Sequence, residues 1–485
     1  MTTLDRLARA KAVAYAALDR TCAAGGAALD RLRAHPRHLV LAALAAGLFA
    51  GPLAAPTTVL LLALTAAALA GRPALALLAA VAVLAGALGA QARTHALERT
   101  QLPPRFGATV AARVVLLEQP RPVRFGSTAL AELRLLAPPA AGAPPSRVGA
   151  GERVMLRIGQ DVAWPPQPTG ALMDVRGRLR ALGPFERHYA RRGAHAAISL
   201  DTALATGARR SGPSGAIDRI RTRAERALST GLPQAQAALL RGMTLGQDEA
   251  LDARTREQFR ISSLAHVLAA SGQNVALLLA LALPLLAAAG IGLRGRLTGA
   301  LILIAIYVPL AGAGPSIQRA GAMGAATTVA ALAGRPASRW YAFLLAAATT
   351  LALNPRISGD PGWQLSFAAV AAIALLAPKI RHALTARRVP QALADATAMT
   401  TAATLGTAPL LALHFHQLSL VGIPANLLAA PAIAPITWLG MLAAAIGQLN
   451  PALAQPLNAL NAYLLAYVGA VAQTAASLPH ASVDW

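Results

Sequence analysis

The feature that most constrains this chain is a series of long stretches without a single acidic or basic side chain. Crossing about 30 Å of hydrocarbon takes roughly 20 apolar residues in a helix. Residues 396–483 form the longest uncharged stretch, which must therefore fold back on itself several times. Shorter uncharged stretches occupy residues 39–71, 73–92, 261–293, 297–318 and 361–378. With only 13% charged residues, the sequence predicts a polytopic α-helical membrane protein with about 10–11 spans.

Changes of composition along the chain predict five parts. The first part is expected to be a basic amphipathic segment in the cytoplasm, because its basic side chains outnumber the acidic ones. Three short spans follow, separated at glycine and proline, although two spans remain an alternative; an odd number places the next domain outside the cytoplasm. The predicted parts are 1–38, the basic segment; 39–92, the N-terminal spans; 93–210, a soluble β domain; 211–260, basic amphipathic helices at the membrane surface; and 261–485, a second transmembrane domain.

Residues 93–210 show the alternating pattern of short β-strands between turns rich in proline and glycine. Strands are expected near residues 109–117, 128–136, 153–158 and 174–182. Five or so strands in such a length suit a small barrel of the OB type, and a sandwich is the alternative. We therefore predict an inserted, OB-like soluble domain.

The chain carries 44 basic and 20 acidic residues, for a net charge of +24. This excess makes polyanions plausible partners. The alternative is that membrane proteins collect basic residues in cytoplasmic loops, and the predominance of arginine can reflect codon usage. Within the 211–260 part, Arg254, Arg256 and Arg260 are the basic residues predicted to guide a polyanion.

No metal site or cofactor is predicted. Cys22 is the only cysteine, so the chain can form neither an intramolecular disulfide nor a thiolate cluster. His414 and His416 flank a phenylalanine at the end of an apolar segment, but no carboxylate lies near them in sequence, and such residues usually mark the membrane interface.

Polar groups interrupt one apolar segment around His266, Ser271, Gly272 and Asn274. Because polar groups in a membrane interior are unfavourable, they need partners or a function. Gly272 is predicted to unwind a span near 264–289 locally, so that these side chains face a polar lumen. Hydrogen bonding between helices is the alternative.

Four further polar residues are predicted to line the same lumen. They are Arg319, Gln364, Ser366 and Asn426. Arg319 is expected to bind a phosphate or, alternatively, to anchor a helix end at the lipid headgroups. Asp360, just before Gln364, is predicted to cap the N-terminus of a helix. Prolines in the apolar segments, such as Pro431 and Pro435, predict broken helices lining a cavity.

Several motifs resemble those of the ComEC family of competence DNA-uptake channels. The motifs, in chain order, are Gly231-Leu232-Pro233, residues 239–247 (LLRGMTLGQ), residues 259–272, Pro315-Ser316 with Arg319, residues 362–367 (GWQLSF) and residues 423–431 (IPANLLAAP). Upstream, residues 183–193 (GPFERHYARRG) resemble the end of that family's OB-like domain. The resemblance covers roughly residues 39 to 450.

The resemblance implies an inner-membrane channel that passes single-stranded DNA into the cytoplasm during natural transformation. It further implies an extracytoplasmic DNA receptor and a cytosolic translocating ATPase as partners. A homo-oligomer of the chain is also possible. Many relatives carry a C-terminal metallo-β-lactamase-like domain, and the His-x-His-x-Asp-His motif of that domain does not occur in this sequence. The chain is therefore expected to be a channel and not an enzyme. Nuclease activity would come from another polypeptide, from residues outside this sequence, or not at all.

Two departures from the family pattern stand out. Ser263 occupies a position at which relatives usually have glycine, and Gln273-Asn274 replaces a common leucine-histidine pair. Two other functions remain open at this point. One is a transporter of a smaller polar or lipid-linked solute, and the other is a membrane hydrolase.

Overall fold

The computed structural model describes residues 34–123, 125–137, 149–336 and 338–484. Most of the predicted segment 1–38, with Cys22, lies outside these residues. The chain divides into two compact units. The first comprises the described residues up to Ala96 together with Pro336–Arg356, and the second comprises Leu97–Arg335 and Ile357–Trp485.

Helices dominate the described part of the chain. The first unit holds α1 (Pro36–Ala50), α2 (Pro56–Ala70), most of α3 (Pro73–Glu98) and α12 (Arg339–Leu353). The second unit holds α4 (Arg187–Arg191), α5 (Gly212–Ser229), α6 (Gln234–Leu245), α7 (Ala253–Ile261), α8 (Ala265–Leu268), α9 (Gly272–Ala288), α10 (Leu293–Leu310), α11 (Pro315–Leu332), α13 (Pro361–Ala386), α14 (Gln391–Phe415), α15 (Gly422–Ile446) and α16 (Gln455–Ser477).

Six helices in the described ranges are long and apolar enough to cross a membrane. They are Pro73–Arg105, Leu293–Leu310, Pro361–Ala386, Gln391–Phe415, Gly422–Ile446 and Pro451–Ser477. Helices α1, α2, α9 and α12 are apolar but shorter. The prediction of a multi-pass helical membrane protein with an inserted β domain is confirmed at this level, and the count of 10–11 spans stays a prediction.

The β domain is a barrel-like sheet in the second unit. Its strands are β1 (Thr109–Leu116), β2 (Arg121–Val123), β3 (Gly126–Ala137), β4 (Arg153–Ile158), β5 (Ala171–Arg180) and β6 (Ala194–Arg209). The order is β1-β5-β6-β4-β3-β2, and an additional pairing of β1 with β3 closes a ring of five strands. Only β4 and β6 pair in parallel; the other pairs are antiparallel.

Alternate side chains of the strands fill the barrel interior. Val110, Ala112 and Val114 of β1 are all buried, as are Met173 and Val175 of β5. This burial follows from the two-residue period of a strand, which directs every second side chain to the same face. The alternation in the sequence therefore predicted the strands, and β6 is a long strand that the sequence reading did not place.

Helices α5 to α7 occupy the 211–260 part, where two or three helices were predicted. Helix α6 is largely enclosed: Leu240 and Met243 are 0% and 1% exposed and belong to a core shared with α9, α15 and α16. The helix ends at Gly246, which adopts a left-handed conformation (φ +70°) that glycine accommodates readily.

The predicted span near 264–289 is wrong at its start, because the helix is broken before Gly272. The short α8 ends at Leu268, and α9 begins at Gly272. Ser271 caps α9 in a reciprocal arrangement with Asn274, three positions later. Small polar residues compete for backbone hydrogen bonds and favour such caps, so the polar motif begins the helix instead of unwinding its middle.

The prolines of the C-terminal helices do not break them as predicted. Helix α15 is continuous and contains both Pro431 and Pro435. Proline removes a backbone donor, and transmembrane helices tolerate this where neighbouring groups supply other hydrogen bonds. Pro431 leaves the carbonyl oxygen of Leu427 without its usual N–H donor, and Tyr467 of α16 donates to the next carbonyl oxygen, that of Leu428, at 2.8 Å.

Candidate functional site

Three helices begin side by side at one end of the bundle. Ser271 caps α9, Gly314 precedes Pro315 at the start of α11, and Asp360 caps α13 by accepting from the Trp363 N–H at 2.9 Å. The predicted capping role of Asp360 is confirmed. Because the N-terminus of a helix carries a partial positive charge, this end of the bundle favours anions, and the Asp360 carboxylate already occupies that position at α13.

Arg319, in the second turn of α11, lies among these helix starts. Its side chain is 4% exposed, and Nη1 donates to the carbonyl oxygen of Ser366 on α13 at 2.9 Å. Its guanidinium carbon is 5.6 Å from the centroid of the Phe367 ring. No carboxylate of the described residues forms an ion pair with Arg319, so this buried cation has no counter-ion in that part of the chain.

Gly272 and Ser316 complete this group, which we call the Arg319 cluster: Gly272, Ser316, Arg319, Ser366 and Phe367. A β-carbon on Gly272 would lie 3.0 Å from Nη2 of Arg319, so glycine leaves room for the guanidinium. The hydroxyls of Ser316 and Ser366 are 2.9 Å apart. The structure thus brings together Gly272, Arg319 and Ser366, which the sequence had predicted as site residues in three separate segments.

Asn274 lies away from any exposed surface. It is 5% exposed, and its amide donates to the carbonyl oxygen of Met243 at 2.7 Å and to the hydroxyl of Tyr307 at 3.2 Å. The Tyr307 hydroxyl in turn donates to the carbonyl oxygen of Thr244 at 2.6 Å. Asn274 and Tyr307 therefore satisfy carbonyls at the C-terminal end of α6.

Gln364 connects the start of α13 to the end of α14. Its amide nitrogen donates to the carbonyl oxygen of Ser358 at 2.8 Å, and its Oε1 lies 2.8 Å from Nε2 of His414. His416 adopts a left-handed conformation (φ +51°) and terminates α14. His414 is thus engaged with an amide, a contact that also orients the Gln364 side chain.

His266 and Asn426 meet at the backbone of Ser263. Nδ1 of His266, whose side chain is exposed, lies 3.0 Å from the carbonyl oxygen of Ser263. Asn426 donates to the carbonyl oxygens of Gly422 at 2.8 Å and Ser263 at 3.5 Å. Ser263 itself has φ +61°, a left-handed conformation in which glycine is favoured. This explains why glycine would suit the position.

The three predicted guiding arginines differ in their surroundings. Arg254 and Arg260 are both exposed, and Arg260 forms an ion pair with Glu257 at 2.7 Å. Arg256 is half-buried and donates to the carbonyl oxygens of Asp248 at 2.9 Å and Leu251 at 3.2 Å. Of the three, Arg256 lines the cleft described next.

A cleft of about 870 Å³ lies between the barrel and the loop that joins α6 to α7. The sequence reading did not find it. Its basic side chains are Arg121, Arg157, Arg180, His188 and Arg256, its aromatic side chains are Phe125 and Tyr189, and its acidic side chains are Glu186, Asp248 and Glu249. One signal was present in the sequence, because residues 183–193, which resemble a family block, supply Gly183, Glu186, His188 and Tyr189 to the lining.

Two ion pairs connect residues that line the cleft. Arg180 makes two hydrogen bonds with Glu186, at 2.8 and 2.5 Å, and Glu186 also accepts from the Gly183 N–H at 2.7 Å. These bonds, led by the one from Arg180, hold the pKa of Glu186 below its usual value. Across the cleft, Arg121 pairs with Glu249 at 2.9 Å, and burial raises the pKa of Glu249.

Residues 243–485 match the model of a family described as "Competence protein". ComE operon protein 3 of Bacillus subtilis (strain 168) is 28% identical over 200 residues, which are 41% of this chain and 25% of that protein. The match therefore spans a quarter of the length of this relative. No solved structure matches the chain. The family match contains the whole Arg319 cluster.

Proposed function

Because the chain belongs to the Competence protein family, we propose that it is an inner-membrane channel that passes single-stranded DNA into the cytoplasm during natural transformation. The similarity to ComE operon protein 3 of Bacillus subtilis also supports this proposal. The proposal concerns a translocation path through the helical bundle, and no catalytic step is assigned to the chain.

The observation that carries the proposal is the buried, uncompensated charge of Arg319. Burying a charge without a partner is unfavourable, so such a group is expected to serve a ligand of opposite charge. The N-termini of α9 and α11 lie beside it and also favour an anion, whereas Asp360 already caps α13. A DNA strand offers one anionic phosphate per nucleotide, which suits this end of the bundle.

The charges of the connecting loops support an orientation. Residues 289–296, between α9 and α10, contain Arg294 and Arg296, and the end of α13 with the following turn contains Lys379, Arg381, Arg387 and Arg388. At the opposite ends, residues 311–314 carry no charge, and residues 354–360 carry one basic and one acidic residue, Arg356 and Asp360. Basic loops face the cytoplasm. We therefore place the Arg319 cluster at the outer mouth of the channel.

The barrel is proposed to be an OB-type domain. Its ring of β1, β3, β4, β6 and β5, with the single parallel pair β4–β6, supports this. Domains of this type bind oligonucleotides on one strand face and its adjoining loops. The basic cleft lies beside such loops, so we propose that it guides the strand, together with Arg254, Arg256 and Arg260. The remaining predicted residues His266, Ser271, Gln364 and Asn426 are proposed to shape the mouth. The prediction that Asn274 lines the lumen is not proposed again, because its side chain bonds to α6 inside the core.

The proposal extends to partners. An extracytoplasmic DNA receptor would deliver the strand to the outer mouth, and a cytosolic ATPase would pull it inward. The lipid bilayer surrounds the apolar helices. A separate nuclease would degrade the other DNA strand. The proposal also allows the chain to form a homo-oligomer.

Two tryptophan substitutions on one helix test the proposed path. In a strain that lacks the gene, complementation with the wild-type chain should restore entry of labelled DNA into a nuclease-resistant cytoplasmic pool. Ser366→Trp places a bulky ring in the Arg319 cluster and should abolish entry. Leu375→Trp lies on the same helix at a position that is 56% exposed and should not.

Both variants must be present in the membrane at wild-type amounts. An equal loss of DNA uptake in both variants would show that tryptophan anywhere on this helix impairs the protein, and that the loss in Ser366→Trp is not specific to the Arg319 cluster. Unchanged uptake in the deletion strain itself would overturn the proposal and favour a smaller polar or lipid-linked solute as the cargo.

A further inference from the structure

We propose that Arg319 and the first turn of α9 form a binding site for one phosphodiester anion, supplied by the backbone of the translocating strand. This inference rests on the proposed function and deepens it, because it assigns the substrate group that this end of the bundle recognises. The site requires a cation with free donors and a second source of positive potential beside it.

The guanidinium has two donors left over. Nη1 is used in the bond to the carbonyl oxygen of Ser366 at 2.9 Å. Nε is buried without a partner, and Nη2 has no acceptor in the part of the chain that the structure describes. Nε and Nη2 lie on the same edge of the planar guanidinium, with parallel N–H bonds. That edge is the one that binds the two oxygens of a phosphate in bidentate fashion.

The free edge is directed toward the N-terminus of α9. Nη2 lies 3.0 Å from the point that a β-carbon of Gly272, the first residue of this helix, would occupy. At the start of this 17-residue helix, the Gln273 and Asn274 N–H groups bond to the hydroxyl and carbonyl oxygens of Ser271, whereas the Gly272 N–H has no acceptor among the described residues. The Gly272 N–H and the guanidinium therefore lie side by side at the positive end of the helix, as in other phosphate sites at helix N-termini.

The side chain is also held in place. Arg319 is 4% exposed, its carbon Cζ lies 5.6 Å from the centroid of the Phe367 ring, and its Nη1 is fixed to the backbone of α13. A merely structural arginine in such a position would be expected to find a carboxylate partner. A hydrogen-bond donor that is held in place without an acceptor is instead suited to a ligand that binds and dissociates.

Oligonucleotide binding by the full chain in phospholipid-free maltoside micelles tests the inference. Fluorescence anisotropy with labelled oligothymidylate between 50 and 300 mM salt gives the dependence of log K on log salt concentration. Arg319→Gln should reduce the magnitude of the slope by about 0.7, the value for one phosphate on a single strand. Arg319→Lys keeps the charge and should keep the slope. Arg294→Gln, an exposed arginine outside the cluster, should leave it unchanged.

Gly272→Ala provides a second variant that removes no charge. Its methyl group fills the space beside Nη2, so oligothymidylate affinity should fall several-fold while the thermal unfolding midpoint changes little. A slope for Arg319→Gln equal to that of the wild type, in a variant that elutes as a monodisperse species, would overturn the inference. The proposed channel function would then rest on the family match and on the DNA-entry experiment, neither of which this result tests.

A lipid headgroup is the other source of a phosphodiester. Native mass spectrometry with added phosphatidylglycerol distinguishes the two sources. If lipid occupies the site, Arg319→Gln should lose one retained phosphatidylglycerol and keep its oligothymidylate slope, which would overturn DNA as the source. If the wild-type chain binds neither probe, both the site and the proposed function fail.

Discussion

Asn274 and Tyr307 are joined by a hydrogen bond of 3.2 Å, and both also bind carbonyl oxygens at the end of α6. The three helices α6, α9 and α10 are thereby connected through one polar group inside an apolar core. Such a buried group stabilises the fold only while all its members are paired. This requirement makes the stability of the bundle sensitive to a single hydroxyl.

Tyr307→Phe should destabilise the protein by about 1–3 kcal/mol, because the buried carbonyl oxygen of Thr244 loses its donor. The matched control is Tyr463→Phe, since Tyr463 is 79% exposed and should change little. Thermal unfolding of both variants in detergent gives the comparison. Equal midpoints for the two variants would contradict a structural role for the Tyr307 hydroxyl.

Ser263→Gly should stabilise the chain by roughly 1 kcal/mol, because a non-glycine residue is strained at φ +61°. Ser262→Gly is the control. Ser262 has an ordinary helical φ of −73°, so glycine there should destabilise through the entropy of the unfolded chain. The same unfolding assay measures both, and a lower midpoint for Ser263→Gly would refute the strain.

Glu186→Gln should lower the stability of the β domain by roughly 1–3 kcal/mol at pH 7, since it removes charged bonds to Arg180. The pKa of Glu186 is lower in the folded protein than in the unfolded chain, where it is about 4.3. Its contribution is therefore fully present above that value and is lost as the pH falls through the lower, folded value.

Denaturant unfolding of the wild type and Glu186→Gln between pH 3 and 7 checks this expectation. The two curves should converge at the acidic end. The control is Asp174→Asn, which breaks a pair with Arg113 whose side chains are 43% and 44% exposed. Exposed pairs contribute about 0–1 kcal/mol, so this change should be smaller. A Glu186→Gln loss that does not depend on pH would contradict the assignment.

Arg157→Gln should weaken binding of single-stranded DNA and reduce its salt slope by about 0.7, because Arg157 is an exposed arginine of the cleft. Phe125→Ala should weaken binding by about 1–3 kcal/mol if a base stacks on the ring, which is 63% exposed. Arg209→Gln, an exposed arginine that does not line the cleft, is the control. If Arg209→Gln weakened DNA binding as much as Arg157→Gln does, the attraction of DNA to the barrel would be nonspecific.

The helices and strands could be predicted because their signals are local. The apolar stretch around α13 and the capping residue Asp360 stand next to each other in the chain, as do the alternating side chains of β1. The start of α9 was misplaced because the polar residues around Gly272 were interpreted as unwinding a helix instead of beginning one. The continuity of α15 through Pro431 was missed because tolerance of proline depends on neighbouring helices.

The sequence by itself determined that this chain crosses a membrane several times and carries a small β domain. Backbone groups in hydrocarbon must be satisfied within each segment, so apolar stretches can only become helices. Only the tertiary structure decided that Arg319 meets Ser366, 47 positions away, and that Asn274 turns to α6 instead of to Arg319. The partner of a polar side chain is set by which helices pack together, and packing joins residues that are distant in sequence.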